Sequence, residues 1–447
     1  MEYRQCKTVA SSRYIGYLRF AITGVLGAVQ VLASGPLLAA RIDLAASYTA
    51  EYNDNVRLVP TAPVSDLAHI VDVGAYYQQI DTGLEARILA DVQYRHYTNG
   101  TFTNEVRPSL DASETWFLTP GRFHWFVQDR LSQIAIDATK PATPDNLETI
   151  NIFTTGPTFI ARLSPVDTFE AESRFNNSFY SRTSASDADR LSAKGSWKHA
   201  VSSITDVTAS LEAQKVNYAQ GAYDNYRTYE AVVGGKTKRR DATIGVDLGS
   251  TIIDRQVLSN LQRPLVRGSV DYRPNSTTRA IFTAEAKYSD ITEEILKLPL
   301  SQDPGVAVGN LFYGKSVDFT YERTWAPTKA LLHLYARRRD YIDATPDEEG
   351  AGGSLEFSYD FNARFSAGAV GDYVETSYNS ATLATIADLG VGLHTQYRLR
   401  PTLRWLTEVR WNRRDSSDPA RTYNQFIAMV SLIYGHRPAP TDLTKPK

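Results

Sequence analysis

The sequence contains very little cysteine and no long hydrophobic run after its first forty residues. Cys6 is the single cysteine among 447 residues, and it precedes the apolar run described below, so it is not a lipid-attachment cysteine. The mean hydropathy of −0.33 excludes a bundle of transmembrane helices. Basic and acidic residues nearly balance, with 48 Lys and Arg against 50 Asp and Glu, so nothing indicates a nucleic-acid partner.

Signatures of catalysis and of metal or cofactor binding are also scarce. The seven histidines show no metal-ligand spacing, and the nucleophile motif G-x-S-x-G does not occur. The stretch Asn53-Asp54-Asn55 lacks the glycine and distal glutamate of a calcium loop, so we expect its side chains to cap a turn. The sequence therefore predicts no catalytic residue, metal or cofactor. A barrel enzyme that assembles Ser, His and Asn from neighbouring strands stays open as an alternative.

Residues 1–40 have the form of an export signal. A basic start is followed by an apolar run over 20–40 that ends in small residues. Cleavage after Ala33 or after Ala40 is expected, and a retained anchor helix is the rival interpretation, although Gly35 and Pro36 interrupt the run. Removal of this segment leaves a chain without cysteine, which suits an oxidising compartment.

The rest of the chain alternates between apolar and polar residues with a period of two. In 402–415, TLRWLTEVRWNRRD, leucine, tryptophan and valine share one face, and Arg404, Glu408, Arg410 and Arg414 share the other. The same alternation recurs in 84–97, 168–180, 316–325 and 354–362. Because side chains of a β-strand point alternately to opposite faces, these segments predict strands. No segment after the signal shows a sustained helical period.

The connections between these strands alternate between short and long along the chain. Short ones lie at 81–83, 119–121, 164–165, 202–203, 239–241, 275–276, 326–328 and 400–401. Longer polar ones lie at 53–66, 137–149, 182–189 and 292–309. Short turns at one rim and long loops at the other are typical of outer-membrane barrels. We therefore predict an all-β fold, a single transmembrane antiparallel up-and-down β-barrel over 41–436, with about 20 strands (18–20), short periplasmic turns and long extracellular loops. A Pro-rich tail follows at 437–447.

In a membrane barrel the apolar face meets lipid and the charged face lines the lumen. A soluble sandwich, with the apolar face inside, is the alternative. The predicted lumen-lining residues are Glu85, Arg87, Asp91, Arg95, Glu170, Glu172, Arg174, Asp318, Glu322, Glu356, Asp360, Arg404, Glu408 and Arg410. The six tryptophans mostly flank short turns and predict an interfacial aromatic girdle. Tyr97 and Tyr180 fall on the polar face and are candidates for sugar contact.

Two stretches resemble the beta-barrel porin 2 group, outer-membrane barrels associated with exopolysaccharide and exosortase loci. The first is ASYTAEYNDNVRL at 46–58, a first strand that ends in Tyr-x-Asp-Asn-apolar. The second is 146–180, a Pro-bearing strand, a tight turn and then an acidic and aromatic strand. The resemblance implies outer-membrane placement and a part in polysaccharide export. Such barrels usually end near an aromatic residue at the C-terminus. This chain departs from that pattern, because a Pro-rich tail follows Tyr434.

The sequence thus predicts a non-enzymatic, wide polar channel in the outer membrane of a Gram-negative bacterium, for export or passage of exopolysaccharide or related polar solutes. A general diffusion porin is the first alternative, and a constricting inward loop would favour it. A barrel enzyme or surface scaffold is the second. Expected partners are outer-membrane lipid and lipopolysaccharide, the outer-membrane assembly machinery, polysaccharide and periplasmic export components. The sequence leaves the solute, its direction and the oligomeric state open.

Overall fold

The computed structural model describes residues 40–219, 223–256, 258–297, 311–342, 345–380 and 385–435. It contains twenty strands: β1 (Ala40–Asn53), β2 (Asp66–Ile80), β3 (Leu84–Tyr97), β4 (Glu105–Thr119), β5 (Phe123–Ala135), β6 (Leu147–Arg162), β7 (Asp167–Tyr180), β8 (Ala188–Ser202), β9 (Thr205–Tyr218), β10 (Tyr226–Lys238), β11 (Ala242–Arg255), β12 (Leu261–Asn275), β13 (Thr278–Asp290), β14 (Leu311–Trp325), β15 (Thr328–Tyr341), β16 (Glu348–Asp360), β17 (Phe365–Tyr378), β18 (Thr385–Arg400), β19 (Leu403–Ser416) and β20 (Tyr423–Gly435). Short 3-10 turns lie at Pro144–Asn146, Ser184–Ser186 and Pro419–Arg421.

The strands form one closed antiparallel up-and-down barrel. Each strand pairs with its neighbours in sequence, and β1 pairs with β20 from Ala45 opposite Gly435 to Asn53 opposite Ile427. The predicted fold class and the upper value of the predicted strand count are confirmed. The predicted signal segment lies outside the described residues except for Ala40, and so does the tail at 437–447.

The connections in the structure alternate between short and long, as predicted. Every second connection has 2 to 4 residues, and the others have 5 to 20. Gly121 shows why glycine occurs in one of the short turns, because its φ of +70° favours a residue without a Cβ. We call the two ends of the barrel the short-turn end and the long-loop end.

The Asn53-Asp54-Asn55 stretch caps a turn and links β1 to β20, where the barrel closes. The Asn53 side chain accepts a hydrogen bond from the backbone N–H of Asn55 at 2.9 Å. Asp54 accepts one from the backbone N–H of Phe426 on β20 at 2.7 Å, and the Asn55 amide donates to the Asn424 carbonyl at 2.9 Å. The motif that carries the family resemblance therefore joins the first strand to the last.

The two faces of the wall differ as the alternation predicts. Large apolar side chains are exposed on the outer face, among them Trp405 and Trp411 of β19. Five of the six tryptophans are exposed there: Trp125, Trp197, Trp325, Trp405 and Trp411. The outer face also carries the carboxylate of Asp129, which accepts a hydrogen bond from Asn151 at 2.6 Å. Within the described part of the chain, no helix is long and apolar enough to cross a membrane.

One connection contains a helix that the sequence analysis did not predict. Helix α1 (Ile291–Lys297) directly follows β13. Pairing between β12 and β13 ends at Val266 opposite Ala286, whereas β13 and β14 stay paired up to Asp290 opposite Leu311. The long-loop end of the β13–β14 hairpin therefore separates from β12. We call Lys287–Asp290, α1 and residues 311–314 the arm.

Candidate functional site

The arm lies inside the barrel, at the long-loop end of the lumen. Ile291 and Ile295 of α1 pack in one buried cluster with Ile134, Ile150, Ile152, Tyr180 and Phe312. The wall members of this cluster, Ile134 of β5, Ile150 and Ile152 of β6 and Tyr180 of β7, sit on the face opposite the exposed apolar residues of their strands. Helix α1 continues β13, which lies six strand steps from β7 along the wall, so α1 can contact the inner face of β7 only from within the ring.

The other side of the arm packs against a second sector of the inner wall. Tyr288, Leu311 and Tyr313 of the arm share a buried cluster with Val216, Tyr218, Tyr226 and Ile253 of β9, β10 and β11. The Tyr313 hydroxyl donates to the Pro264 carbonyl of β12 at 2.9 Å, across the place where β12 and β13 have parted. The arm is thus held by apolar contacts on several sectors of the wall.

Asp290 fixes the arm electrostatically. It accepts hydrogen bonds from Arg190 of β8, through Nε at 3.2 Å and Nη2 at 2.8 Å, and the Tyr226 hydroxyl donates to the same oxygen at 3.4 Å. The side chains of Arg190 and Asp290 are only 7% and 9% exposed. The second oxygen of Asp290 accepts the backbone N–H of Glu293 at 3.0 Å. One carboxylate therefore joins the wall to the start of α1.

The polar face of α1 carries charges of both signs. Lys287 pairs with Glu293, and Lys297 contacts Glu294 at 3.0 Å and Glu285 at 3.2 Å. Burial opposes the ionisation of Glu293, but Lys287 and Lys297 outweigh it and hold the pKa of this carboxyl below its ordinary value. Burial likewise opposes the charge of Lys297, yet the three glutamates raise its pKa. This face stays ionised at neutral pH.

A further charged cluster joins the arm to β15 and β16. Arg339 forms an ion pair with Glu348, and both side chains are buried. The other guanidinium nitrogen of Arg339 lies 3.9 Å from Glu294 of α1. Arg190, Asp290 and Arg339 were not among the predicted site residues, although they form charged contacts between the arm and the wall.

The structure places all fourteen predicted residues on the inner face, because each alternates with the exposed apolar residues of its strand. Several join cross-strand contacts. Arg95 pairs with Glu51 of β1 at 2.8 Å, Arg410 pairs with Asp372 of β17, and Asp318 lies 3.6 Å from His333. Glu172 and Arg174 pair on the same strand at 3.3 Å. That these charges set conduction stays a prediction, and the pairs also link neighbouring strands.

One expectation about the lumen is wrong. Tyr97 and Tyr180 are 5% and 1% exposed, so neither ring offers a surface to a sugar. Tyr97 packs with Ala68 and Ile70, and Tyr180 lies under α1. The arm occupies part of the long-loop end of the lumen, and the predicted width of the channel stays a prediction.

A Ser, His and Asp cluster occurs on the outer face at the short-turn end. His199 Nδ1 lies 2.8 Å from Asp167, as in a catalytic triad. The Ser164 hydroxyl, however, donates to the same carboxylate at 2.7 Å and accepts the backbone N–H of Val166 and of Asp167. Its proton is directed to Asp167 rather than to a base, so Ser164 caps a turn here. Among the described residues no three His, Cys, Asp or Glu side chains group as metal ligands.

The sequence carried a local signal for α1. Asp290 followed by Glu293 is a D-x-x-E capping pattern, with Ile291 and Ile295 four residues apart on one face. Lys297 adds a cation in the last turn. The helix has only 7 residues, about two turns, which is too short for a search for sustained periodicity to detect.

Comparisons with known proteins add a weak structural similarity. No family model and no curated protein matches the chain. The outer membrane protein OpdK of Pseudomonas aeruginosa is 11% identical, with 90% of this chain and 100% of that chain covered and a TM-score of 0.40. The FrpB iron transporter of Neisseria meningitidis is 8% identical, with 88% and 81% covered and a TM-score of 0.47. A loop-deletion mutant of OmpT of Vibrio cholerae is 9% identical, with 89% and 100% covered and a TM-score of 0.34. At these identities and TM-scores no functional residue is transferred to this chain.

Proposed function

We propose that the protein is a non-enzymatic channel in the outer membrane of a Gram-negative bacterium, restricted by the arm and selective for small polar solutes. The observation that carries this proposal is the position of α1, which follows β13 and packs on the inner face of β5–β7 across the lumen. An inward segment that narrows a charged lumen supports selection by size and polarity. The apolar outer face and the polar inner face support the membrane placement.

Of the functions considered from the sequence, this geometry favours the diffusion channel most. Ile291 and Ile295 are 1% and 2% exposed, and burying an isoleucine side chain contributes about 1.5–3 kcal/mol. With the Asp290–Arg190 pair added, the docked arm is a stable part of the barrel. A polysaccharide chain would have to pass beside this arm or displace it.

Passage of exopolysaccharide is the second proposal, and it rests on the resemblance at 46–58 and 146–180. In this case the arm would be displaced by a partner, such as a periplasmic export component, or by the polymer itself. Lipid and lipopolysaccharide around the barrel and the outer-membrane assembly machinery belong to both proposals.

A liposome-swelling assay distinguishes the restricted diffusion channel from the polysaccharide channel. Proteoliposomes are challenged with a monosaccharide, a disaccharide and a series of longer oligosaccharides at equal osmolarity. A restricted diffusion channel admits the small sugars and excludes the longer ones. Equal permeation of the longer oligosaccharides would contradict the restriction, and no permeation of any sugar would contradict the channel.

A further inference from the structure

Four arginines lie around two neighbouring turns at the short-turn end of the barrel. Arg364 ends the β16–β17 turn, Arg398 and Arg400 lie at the end of β18, and Arg404 lies at the start of β19. The two turns adjoin because β17 pairs with β18. The backbone N–H of Arg398 donates to the Arg364 carbonyl at 2.7 Å, and the Arg398 side chain donates to the Ala363 carbonyl at 3.3 Å. We call these four residues the arginine cluster.

The register of the sheet places two of these arginines directly opposite each other. Arg398 and Arg404 are cross-strand partners, and Arg404 lies on the inner face, because it alternates with the exposed Trp405. Residues directly opposite in an antiparallel pair share a face, and like charges in such a position destabilise the sheet. An anion bound between the two guanidinium groups would replace this repulsion with charge-assisted hydrogen bonds.

Carboxylates do not neutralise the cluster. Leaving Arg404 aside, no member of the cluster forms an ion pair in the described part of the chain, and the other three members are exposed. Asp360, at the end of β16 beside the turn, forms no ion pair with them either. Further along β19, by contrast, Arg410 pairs with Asp372. The cluster therefore leaves guanidinium donors open to water at the mouth of the lumen.

Uncharged hydrogen-bonding groups lie one row further into the lumen. Ser366 of β17 is opposite Gln396 of β18 on the inner face, and both are half-buried. Within the described residues neither side chain has a hydrogen-bond partner. A hydroxyl and an amide beside several guanidinium groups suit a ligand that carries hydroxyl groups next to an anionic group.

We propose that the arginine cluster binds the phosphate or carboxylate group of a small solute at the periplasmic mouth of the channel. The planar guanidinium group presents paired N–H donors that match both anions. Because the cluster lies at the inner face, its ligand comes from the water of the lumen and not from the membrane. This inference rests on the proposed function and narrows the solutes of the channel to hydroxylated anions, such as sugar phosphates and sugar acids.

Binding is measured first on the folded full-length protein in detergent, independently of transport. Inorganic phosphate replaces chloride at constant ionic strength, and unfolding in urea is followed by heat-modifiable gel mobility. A ligand that binds only the folded state raises its stability. We expect phosphate to raise the urea midpoint of wild type.

The test variant combines Arg364→Gln with Arg400→Gln, because neither side chain forms a hydrogen bond in the part of the chain that the structure describes. The matched control combines Arg239→Gln with Arg240→Gln, which removes the same charge from the β10–β11 turn at the same end of the barrel. Loss of two exposed charged contacts should weaken phosphate binding by about tenfold. The control should bind phosphate as wild type does.

Planar bilayers then relate the site to the channel. Glucose 6-phosphate on both sides should interrupt the ionic current of wild type and of the control. The test variant should need about tenfold more of it for the same effect. Glucose at the same concentration carries no charge and should leave the current of all three proteins unchanged.

Three results would overturn the inference. The first is no stabilisation of wild type by phosphate. The second is an equal loss in the test variant and the control, since the net charge of this end would then explain the effect. The third is stabilisation by an aspartate-rich peptide but not by phosphate, which would make an acidic partner protein the occupant.

Failure of the proposed function gives a different result. A protein that conducts but gains no stability from phosphate refutes the site alone. A protein whose stabilisation by phosphate is lost only in the test variant, but which conducts no ions, supports the site and refutes the channel.

Discussion

The substitution Asp290→Asn separates the contribution of the arm from that of the wall. Asparagine retains the shape of the side chain and still caps a helix, so α1 should persist. Arg190, which is 7% exposed against the docked arm, then loses its charged partner. Removing one partner of a buried ion pair costs about 3–5 kcal/mol. Release of the arm returns Arg190 to lumen water, so this cost falls on the docked state.

That cost lowers the docking equilibrium by a factor on the order of 10² to 10³·⁵. In planar bilayers, Asp290→Asn should show a larger conductance than wild type, or frequent transitions to a larger one. The matched control is Asp388→Asn, which removes a 2.7 Å pair with Arg414 between the wall strands β18 and β19. Its conductance should stay near that of wild type. Identical single-channel records for all three proteins would refute the arm as the restriction.

Three further predictions address the wall and the pH response. Phe357→Arg places a cation on the outer face and should destabilise the folded barrel by about 2–4 kcal/mol, whereas Glu356→Gln on the inner face should destabilise it little. The free energy of unfolding is measured by urea titration, with heat-modifiable gel mobility as the readout. Equal losses of stability in the two variants would mean that the two faces are wrongly assigned. Glu170→Lys combined with Glu172→Lys should shift the reversal potential in a salt gradient toward anion selectivity, and an unchanged potential in a folded variant would leave these residues as links between strands. The pKa of Glu293 is lowered in the folded protein, so the ionised carboxylate stabilises the docked arm at pH values above the ordinary pKa of about 4.5, and this stabilisation is lost as the pH falls through the lowered pKa. The conductance should therefore rise in that acidic range. A conductance that falls there would contradict the expected direction of the effect.

The barrel could be predicted from the sequence because its signals repeat on almost every strand. The turn at 81–83 and the turn at 239–241 coincide with the connections in the structure. A β-strand fixes which side chains share a face, so the alternation in β19 was enough to assign its charges to one side. Many weak local signals with one common period define a closed sheet.

The candidate site depends on contacts that no local pattern contains. Asp290 and Arg190 are 100 residues apart in sequence, and nothing in the residues around either of them indicates the other. The separation of β13 from β12 coincides with the packing of Tyr288 and Ile291 on the inner wall, and no break in the alternation marks it in the sequence. Tyr97 and Tyr180 illustrate the same point, since their position on the polar face was predicted correctly while their burial was not.

The most direct test of the account is the accessibility of spin labels along β19 in proteoliposomes. Single cysteines are introduced at positions 404 to 411 in a Cys6→Ser background, and collision rates with oxygen and with a water-soluble nickel complex are measured. The account predicts a period of two, with oxygen favoured at 405, 407, 409 and 411 and the nickel complex favoured at 404, 406, 408 and 410. The opposite phase, or no period, would contradict a barrel with an apolar outer face and a polar lumen.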